Sequence, residues 1–537
     1  MAQPATAPTE EDLNPRRWAI LGVLVISLLV VVLDNTVLNV ALPTIARELD
    51  ATQEQLIWSI NAYSCMFAAL LFTWGVLGDR YGRKRILLIG LSFFGAASLL
   101  TAYAQTPLQL ILFRGLMGAA GASVLPVTLS IITVVFPPRE RGRAIGLWAA
   151  AVGAAVAIGP VLGGFLIEHF WWGSVFLINV PIVVVGLIAI TMLVPETKNP
   201  KPGRLDPAGV VLSIGGLLLL TYGILHGGDT QDWLLWTVSV PIVLGLVLLT
   251  WFILIEKNSD HPSLDLSLFR IRSFVAPLTA VSLAFAAMSG SLVFLTFYLQ
   301  TVRGWSPLKA GLFVLPVAIG QILGAPRTQK LVARFGARTV ITAGLSLVTI
   351  VYVVITQYST TTPVWGLLLT NFFLGLGLGI TIAPCTTRMT LATPPQRSGA
   401  GSAVQNTVRQ VGAALGVAVV SSVVATMYSN KLSPAVTALP SDARKAALDD
   451  IQSAAVVAGQ VGGTAGQQLF DAATTAFLHA LHWAAILSGL MTLAALVVIQ
   501  LRLPATAETA AWEAAAPLEG RREEAVHPVP EAAPELP

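Results

Sequence analysis

The chain has 537 residues, of which 55% are hydrophobic and only 11% charged, with a formal net charge of +4. Soluble domains carry about 25% charged residues, so the composition excludes a water-soluble globular protein and indicates a polytopic membrane protein. Cys65 and Cys385 both fall in apolar runs, which indicates neither a disulfide framework nor a metal centre.

Residues 1–15 are polar and acidic without periodicity and are expected to form a disordered cytoplasmic tail. The apolar run that follows is too long for a cleavable signal and lacks a small-residue cleavage site. Fourteen candidate spans then begin near Trp18, Leu56, Ile86, Pro107, Arg143, Ser174, Pro207, Leu234, Phe274, Leu308, Ala337, Pro363, Ala400 and Thr475. They divide into an N-terminal six-helix bundle (16–195), a linker with two inserted transmembrane helices (196–272) and a C-terminal six-helix bundle (273–502). The long outer loop, 428–474, contains "SDARKAALDDIQSAAVVAGQV", expected as a solvated or interfacial amphipathic helix from Ser441 rather than a functional lid. Residues 503–537 read as a second disordered cytoplasmic tail.

An even number of spans places both termini on one side. With that side in the cytoplasm, 24 of the 32 Lys and Arg lie inside, and only Arg47, Arg303, Lys309, Lys431, Arg444 and Lys445 lie outside. This positive-inside bias sets the orientation in the cell (inner) membrane, and it assigns the basic excess to loops rather than to nucleic-acid binding.

The loops Arg80-Tyr81-Gly82-Arg83-Lys84 and Arg334-Phe335-Gly336-Ala337-Arg338 resemble each other at an offset of 254 residues. The same offset carries the first span onto the ninth. Two repeated halves around a midplane site are the architecture of secondary transporters. The halves differ in charge, because the offset carries Asp34 onto Met288 and Arg114 onto Leu368.

Asp34 is the one acid deep within a span, and Arg114 lies at similar depth in the fourth. An intramembrane ionisable group marks an ion pathway by default, with its partner named. Arg114 holds the carboxylate ionised while desolvation opposes it, and a group balanced in this way can titrate as access alternates. Asp34 and Arg114 are therefore the candidate proton-coupling pair, against the alternative of a static structural pair. No cofactor is expected; the proton gradient is the energy source. Arg409 is a second intramembrane cation that can snorkel, and it is expected to serve interface structure rather than substrate contact. His479 and His482, one turn apart, are expected to be a polar approach rather than a metal site.

Four stretches, "LDNTVLNVALP" (33–43), "GVLGDRYGRKR" (75–85), "LILFRGLMGAAGA" (110–122) and "GAAVAIGPVLGG" (153–164), resemble the successive motifs of the major facilitator superfamily. The arrangement of six, two and six spans is similar to its fourteen-span drug:proton antiporter branch. The resemblance implies an all-α polytopic fold with two pseudo-symmetric bundles. It also implies a gating loop that latches the outward-facing state, matched by Gly75, Gly78, Asp79, Arg80, Gly82 and Arg83. Gly153, Gly159, Pro160, Gly163 and Gly164 match the motif that the family associates with antiport. Pro160 removes a backbone hydrogen bond there, and the glycines form a close-packing seam. Some members of the branch carry a second acid in the tenth span, linked to divalent cationic drugs; here that span holds Gln321 and no acid.

No Lys follows a Gly, so an ATP-binding phosphate loop is absent, and neither GxSxG nor HExxH occurs. The chain reads as a transporter, not an enzyme: a proton-coupled multidrug or antibiotic efflux antiporter exporting monocationic or neutral amphiphiles. The alternatives are an exporter of one endogenous lipid or secreted metabolite and, from another class, a non-transporting receptor-like protein. Asn39, Asn61, Tyr63, Phe297 and Asn371 are candidate substrate contacts. The expected partners are the substrate, protons and membrane lipids, with the protein monomeric.

Overall fold

The structure, a computed structural model, describes residues 15–51, 53–198, 207–230, 232–258, 266–393 and 398–503. The expected tails and part of the 196–272 linker lie outside the described residues. Those described are helical, with no strand among them. The first bundle comprises α1 (Arg17–Glu48), α2 (Gln53–Tyr81), α3 (Arg83–Ala102), the broken span α4–α5 (Pro107–Gly121 and Val124–Val135), α6 (Pro138–His169) and α7–α8 (Ser174–Leu177 and Asn179–Leu193). The inserted pair is α9 (Pro207–Thr230) and α10 (Trp236–Asn258).

The second bundle opens with α11 (Arg272–Phe297), which continues into a π-helical turn at Tyr298–Val302. One span is then assembled from α12 (Pro307–Leu312), α13 (Leu315–Gly324) and α14 (Thr328–Phe335). Next come α15 (Ala337–Ile355), α16 (Val364–Ala392) and α17 (Ser398–Leu432), the short helices α18 (Ser441–Asp449) and α19 (Ile451–Val461), and α20 (Gly463–Arg502).

Among the described residues, 13 segments are long and apolar enough to cross a membrane. α6 stands at the place of the expected fifth span but outside those 13, because some of its side chains are not described. Its 32 residues reach about 48 Å, enough to cross.

The internal repeat has a backbone counterpart. Gly82 and Gly336, 254 residues apart, take φ of 114° and 79°, and each breaks the chain between two helices on the face that carries both termini. Positive φ is sterically open to glycine and costly for other residues. At Gly82 the site is also crowded, since a Cβ would lie 2.6 Å from the Glu196 carboxylate. Glu196 accepts from the backbone N–H groups of Lys84 and Arg85 at 3.1 and 3.2 Å, so an acid caps the positive end of α3.

Each bundle buries its own apolar core. The first packs Leu24, Leu28, Phe94, Met117 and Phe176; the second packs Phe294, Tyr298, Val348, Tyr352 and Phe477. Contact between the bundles runs along α2 and α5 against α17, and along α6 against α13 and α16. Outside this seam α9 lies on α2 and α17, and Trp233 Nε1 donates to Ser422 Oγ at 3.1 Å. Farther out, α10 exposes Val243, Val247, Trp251 and Leu254, as a lipid-facing helix should.

The outer loop begins a largely exposed helix at Ser441, as expected, and departs from that expectation only beyond it. It forms two helices, and Asp450 caps the second by accepting from Gln452 N and Ser453 N at 2.7 and 2.8 Å. Ile451, Ala454, Val457 and Ala458 recur at helical spacing, and that stripe is buried against the second bundle. Tyr428 Oη donates to Ala447 O at 3.1 Å, so the loop is docked on the second bundle.

Close helix approach is sharpest where Gly118 of α4 meets the Tyr63 backbone of α2. Gly118→Val should therefore destabilise the protein by about 1–3 kcal/mol through overpacking. Gly22→Ala, where an added Cβ meets nothing within 4 Å, is the neutral control. Thermal unfolding of both variants in detergent checks this, and a Gly118→Val melting curve matching that of Gly22→Ala contradicts it.

Candidate functional site

Three features stand out: an ion pair buried within the first bundle, a polar bridge between the bundles at the terminal face, and an apolar cavity. The ion pair joins α1 to α4. Arg114 Nη1 donates to Asp34 Oδ2 at 2.5 Å, and both side chains are fully buried. The second carboxylate oxygen accepts from Asn179 Nδ2 of α8 at 2.9 Å. Asn179 also reaches Ser98 Oγ at 3.1 Å, which in turn donates to Phe176 O at 2.8 Å. The carboxylate is thus held by a cation and an amide, both fixed by the packing around them.

The guanidinium is less completely satisfied. Its Cζ lies 4.3 Å from the centre of the Tyr63 ring and 5.8 Å from that of Phe176, and Nε donates to Ser59 O at 3.4 Å. Nη2 is buried and has no hydrogen-bond partner among the described residues. Tyr63 Oη donates to Val31 O at 3.3 Å. Tyr63 therefore belongs to the ion-pair site, where it offers a π face to a cation, rather than to a substrate wall.

At the terminal face, Asp79 Oδ1 accepts from Arg83 Nε at 3.0 Å and Nη2 at 2.7 Å, both side chains being buried. Arg83 Nη2 also donates to Ser398 Oγ of α17 at 2.9 Å, and Ser398 Oγ lies 2.7 Å from Ser130 Oγ of α5. Ser402 Oγ donates to Pro126 O at 2.8 Å. The loop between α2 and α3 thus bridges to the start of α17 in the other bundle. Gly75 and Gly78 are buried on α2, Gly78 with Val127 at 3.2 Å from a would-be Cβ. Arg80 faces outward over the Tyr81 ring at 5.5 Å.

The glycine motif of α6 serves two neighbours. Gly153 is covered by the Gln321 side chain of α13, in the other bundle. Gly159 meets Thr36, and Gly163 meets Val37 with a would-be Cβ 3.0 Å away, both on α1. Gly164 is half-buried, and the Pro160 side chain lies outside the described ones. α6 is therefore wedged between α1 and α13.

The cavity is lined by Gly153, Phe285, Met288, Ser291, Gln321 and Asn371, with further aliphatic side chains from α11, α13, α16 and α20. Its water-accessible volume is about 90 Å³, so a drug-sized ligand, which needs ~300–1,000 Å³ of pocket, requires it to widen. Of the candidate contacts, Asn371 lines it and also donates to Leu367 O at 3.0 Å. Asn61 is buried on α2, Phe297 packs beside Phe294 in the second core, and the Asn39 side chain lies outside the described ones. Gln321 and Met288, noted in the sequence only for not being acids, are both cavity residues.

The histidine pair is divided. His482 Nε2 lies 2.8 Å from Tyr358 O, while His479 Nε2 accepts from Trp483 Nε1 at 3.3 Å. Among the described residues no group of three His, Cys, Asp or Glu side chains is placed to hold a metal.

Comparison with known proteins identifies the family. The sequence pattern described as the Major Facilitator Superfamily matches residues 24–417. The multidrug efflux pump LfrA of Mycolicibacterium smegmatis is 34% identical, covering 92% of this chain and 97% of that protein. The methyl viologen resistance protein SmvA of Salmonella typhimurium is also 34% identical, over 86% of this chain and 93% of its own length. The puromycin resistance protein pur8 of Streptomyces alboniger is 33% identical, covering 79% and 84%. The crystal structure of the human organic anion transporter MFSD10 superposes with a TM-score of 0.58 at 16% identity, over 91% of this chain and all of that one, a likeness of fold. The chain belongs to the Major Facilitator Superfamily, and it is a multi-pass membrane transporter of small molecules rather than an enzyme.

Proposed function

We propose that this protein is a proton-coupled efflux antiporter that exports amphiphilic small molecules across the inner membrane. It acts as a monomer, and its terminal face lies in the cytoplasm. The observation that carries the reading is the Asp34–Arg114 pair, buried at membrane depth with a dedicated amide donor. Relatives of nearly full-length coverage are named for multidrug efflux and for methyl viologen and puromycin resistance, which supports efflux without fixing one substrate.

The coupling follows from the neighbours of Asp34. Protonation removes its negative charge and leaves Arg114 as an uncompensated buried cation, a change on the order of 3–5 kcal/mol. Asp34 lies two and three residues before Thr36 and Val37, the α1 contacts of Gly159 and Gly163. A shift of α1 on protonation is thus passed to α6, and through Gln321 to the second bundle. The Asp79–Arg83–Ser398–Ser130 bridge closes the cytoplasmic face in this conformer. Substrates are neutral or singly charged. The cavity has Ser291, Gln321 and Asn371 as polar groups and no acid among its lining residues to compensate a second positive charge.

Asp34→Asn should lower pH-gradient-driven efflux from proteoliposomes at least tenfold while the protein still inserts and melts cooperatively. Raising the external pH should slow wild-type efflux in the same assay. Full gradient-driven transport by Asp34→Asn defeats the coupling assignment.

Ser398→Val removes the bridge to Arg83 and leaves the Asp79–Arg83 pair in place. In a background lacking Cys65 and Cys385, a Gln405→Cys probe should then be labelled three- to tenfold faster from the cytoplasmic side. Unchanged labelling assigns the loop to topology alone.

A further inference from the structure

Arg409 is an intramembrane cation for which the described residues supply neither a carboxylate nor a hydrogen-bond acceptor. Its Cζ lies 4.9 Å from the centre of the Phe285 ring, and its Nε is buried without a partner. Arg409 lies 11 residues into α17, ~16 Å from the terminal face. At the equivalent place in the first bundle, 254 residues earlier, stands Ala155. The charge is therefore particular to one half, and among the described residues no internal partner offsets it.

Snorkelling does not account for its position. Gly412 and Gly416 of α17 lie against Ser282 and Ala286 of α11, and Ser282 Oγ donates to Val408 O at 3.2 Å. This register puts Arg409 level with about Thr279. Phe285 is six residues, or ~9 Å of helix, farther from the terminal face. A snorkelling Arg ends among the headgroups, but this one is engaged by an aromatic ring within the bundle.

Phe285 is also a wall of the cavity. The ring thus has the cavity at one contact and the guanidinium at another. A guanidinium presents five donors in a planar fork that matches an oxyanion bidentately. We propose that Arg409 and Phe285 form an oxyanion subsite, which takes a carboxylate or sulfonate carried on an aromatic amphiphile. The aromatic body packs on Phe285 inside the cavity, and the oxyanion pairs with Arg409. The substrate class is then aromatics that carry an oxyanion, zwitterions with one positive charge among them. This rests on the efflux reading and names a substrate class for it.

The test is calorimetric titration of the full chain in nanodiscs with three matched probes: 2-naphthoate, 2-naphthamide and 2-naphthyltrimethylammonium. Wild type should bind the carboxylate at least tenfold more tightly than the amide, and the ammonium most weakly. Arg409→Gln should erase the carboxylate preference without weakening the amide, Arg409→Lys should keep part of it, and Phe285→Leu should weaken carboxylate and amide alike. The proposal is overturned if wild type shows no carboxylate preference, a result that needs no variant to fold. It is equally overturned if Arg409→Gln weakens all three probes together, as a purely structural cation would. Binding is read without a gradient, and Asp34→Asn should retain the carboxylate preference. Loss of efflux coupling and loss of this subsite are therefore separate results.

Discussion

A charge placed in hydrocarbon must be paired, and the first bundle is arranged around that requirement. Asp34 is expensive in an apolar span, and even a paired buried charge contributes less than apolar packing of the same volume. The surroundings answer the cost with charge, dipole and quadrupole together: Arg114, the Asn179 amide and the Tyr63 ring. α1, α2, α4 and α8 each contribute one of these groups, so the pair fixes how four helices sit. Gly118 allows α4 to approach α2 closely enough for Arg114 to reach across.

The second bundle repeats the backbone of the first without its chemistry. The positive-φ glycines at 82 and 336 keep the helix break in both halves. Where the first half has Asp34, the second has Met288 on a cavity wall, and where the second has Arg409, the first has a buried alanine. One half therefore holds a sealed neutral pair while the other holds an open cation. α6 carries contact between them, because its small residues let α1 and Gln321 approach from opposite sides.

Much of this was legible in the sequence, and the reason differs from residue to residue. Span boundaries follow from hydropathy, and Asp34 and Arg114 stood out because a lone charge in an apolar run has few explanations. Asn179 was missed although it is the one hydrogen-bonding side chain between Val175 and Ile190, because uncharged polar residues in spans are common enough to pass. The role of Ser398 could not be read, since a serine at a helix start is ordinary until tertiary packing brings Arg83 to it from 315 positions away. Tyr63 reads in the sequence as a substrate contact, whereas the cation its ring meets is the protein's own Arg114. In the outer loop the helix start at Ser441 is legible, but the burial of α19 is not, because its apolar stripe is short and only the bundle beneath it shows where it packs.

The inserted pair has a consequence for molecules dissolved in the bilayer. The two bundles meet along two flanks, and α9 with α10 behind it lies over one of them, where α2 runs beside α17. On the opposite flank, Ile158 and Phe165 of α6 and Ile319 and Leu323 of α13 are exposed. Any crevice that opens between the bundles is therefore fenced from lipid on one side and bare on the other. Among the described residues, that bare flank is where a membrane-partitioned compound would meet the bundle interface directly.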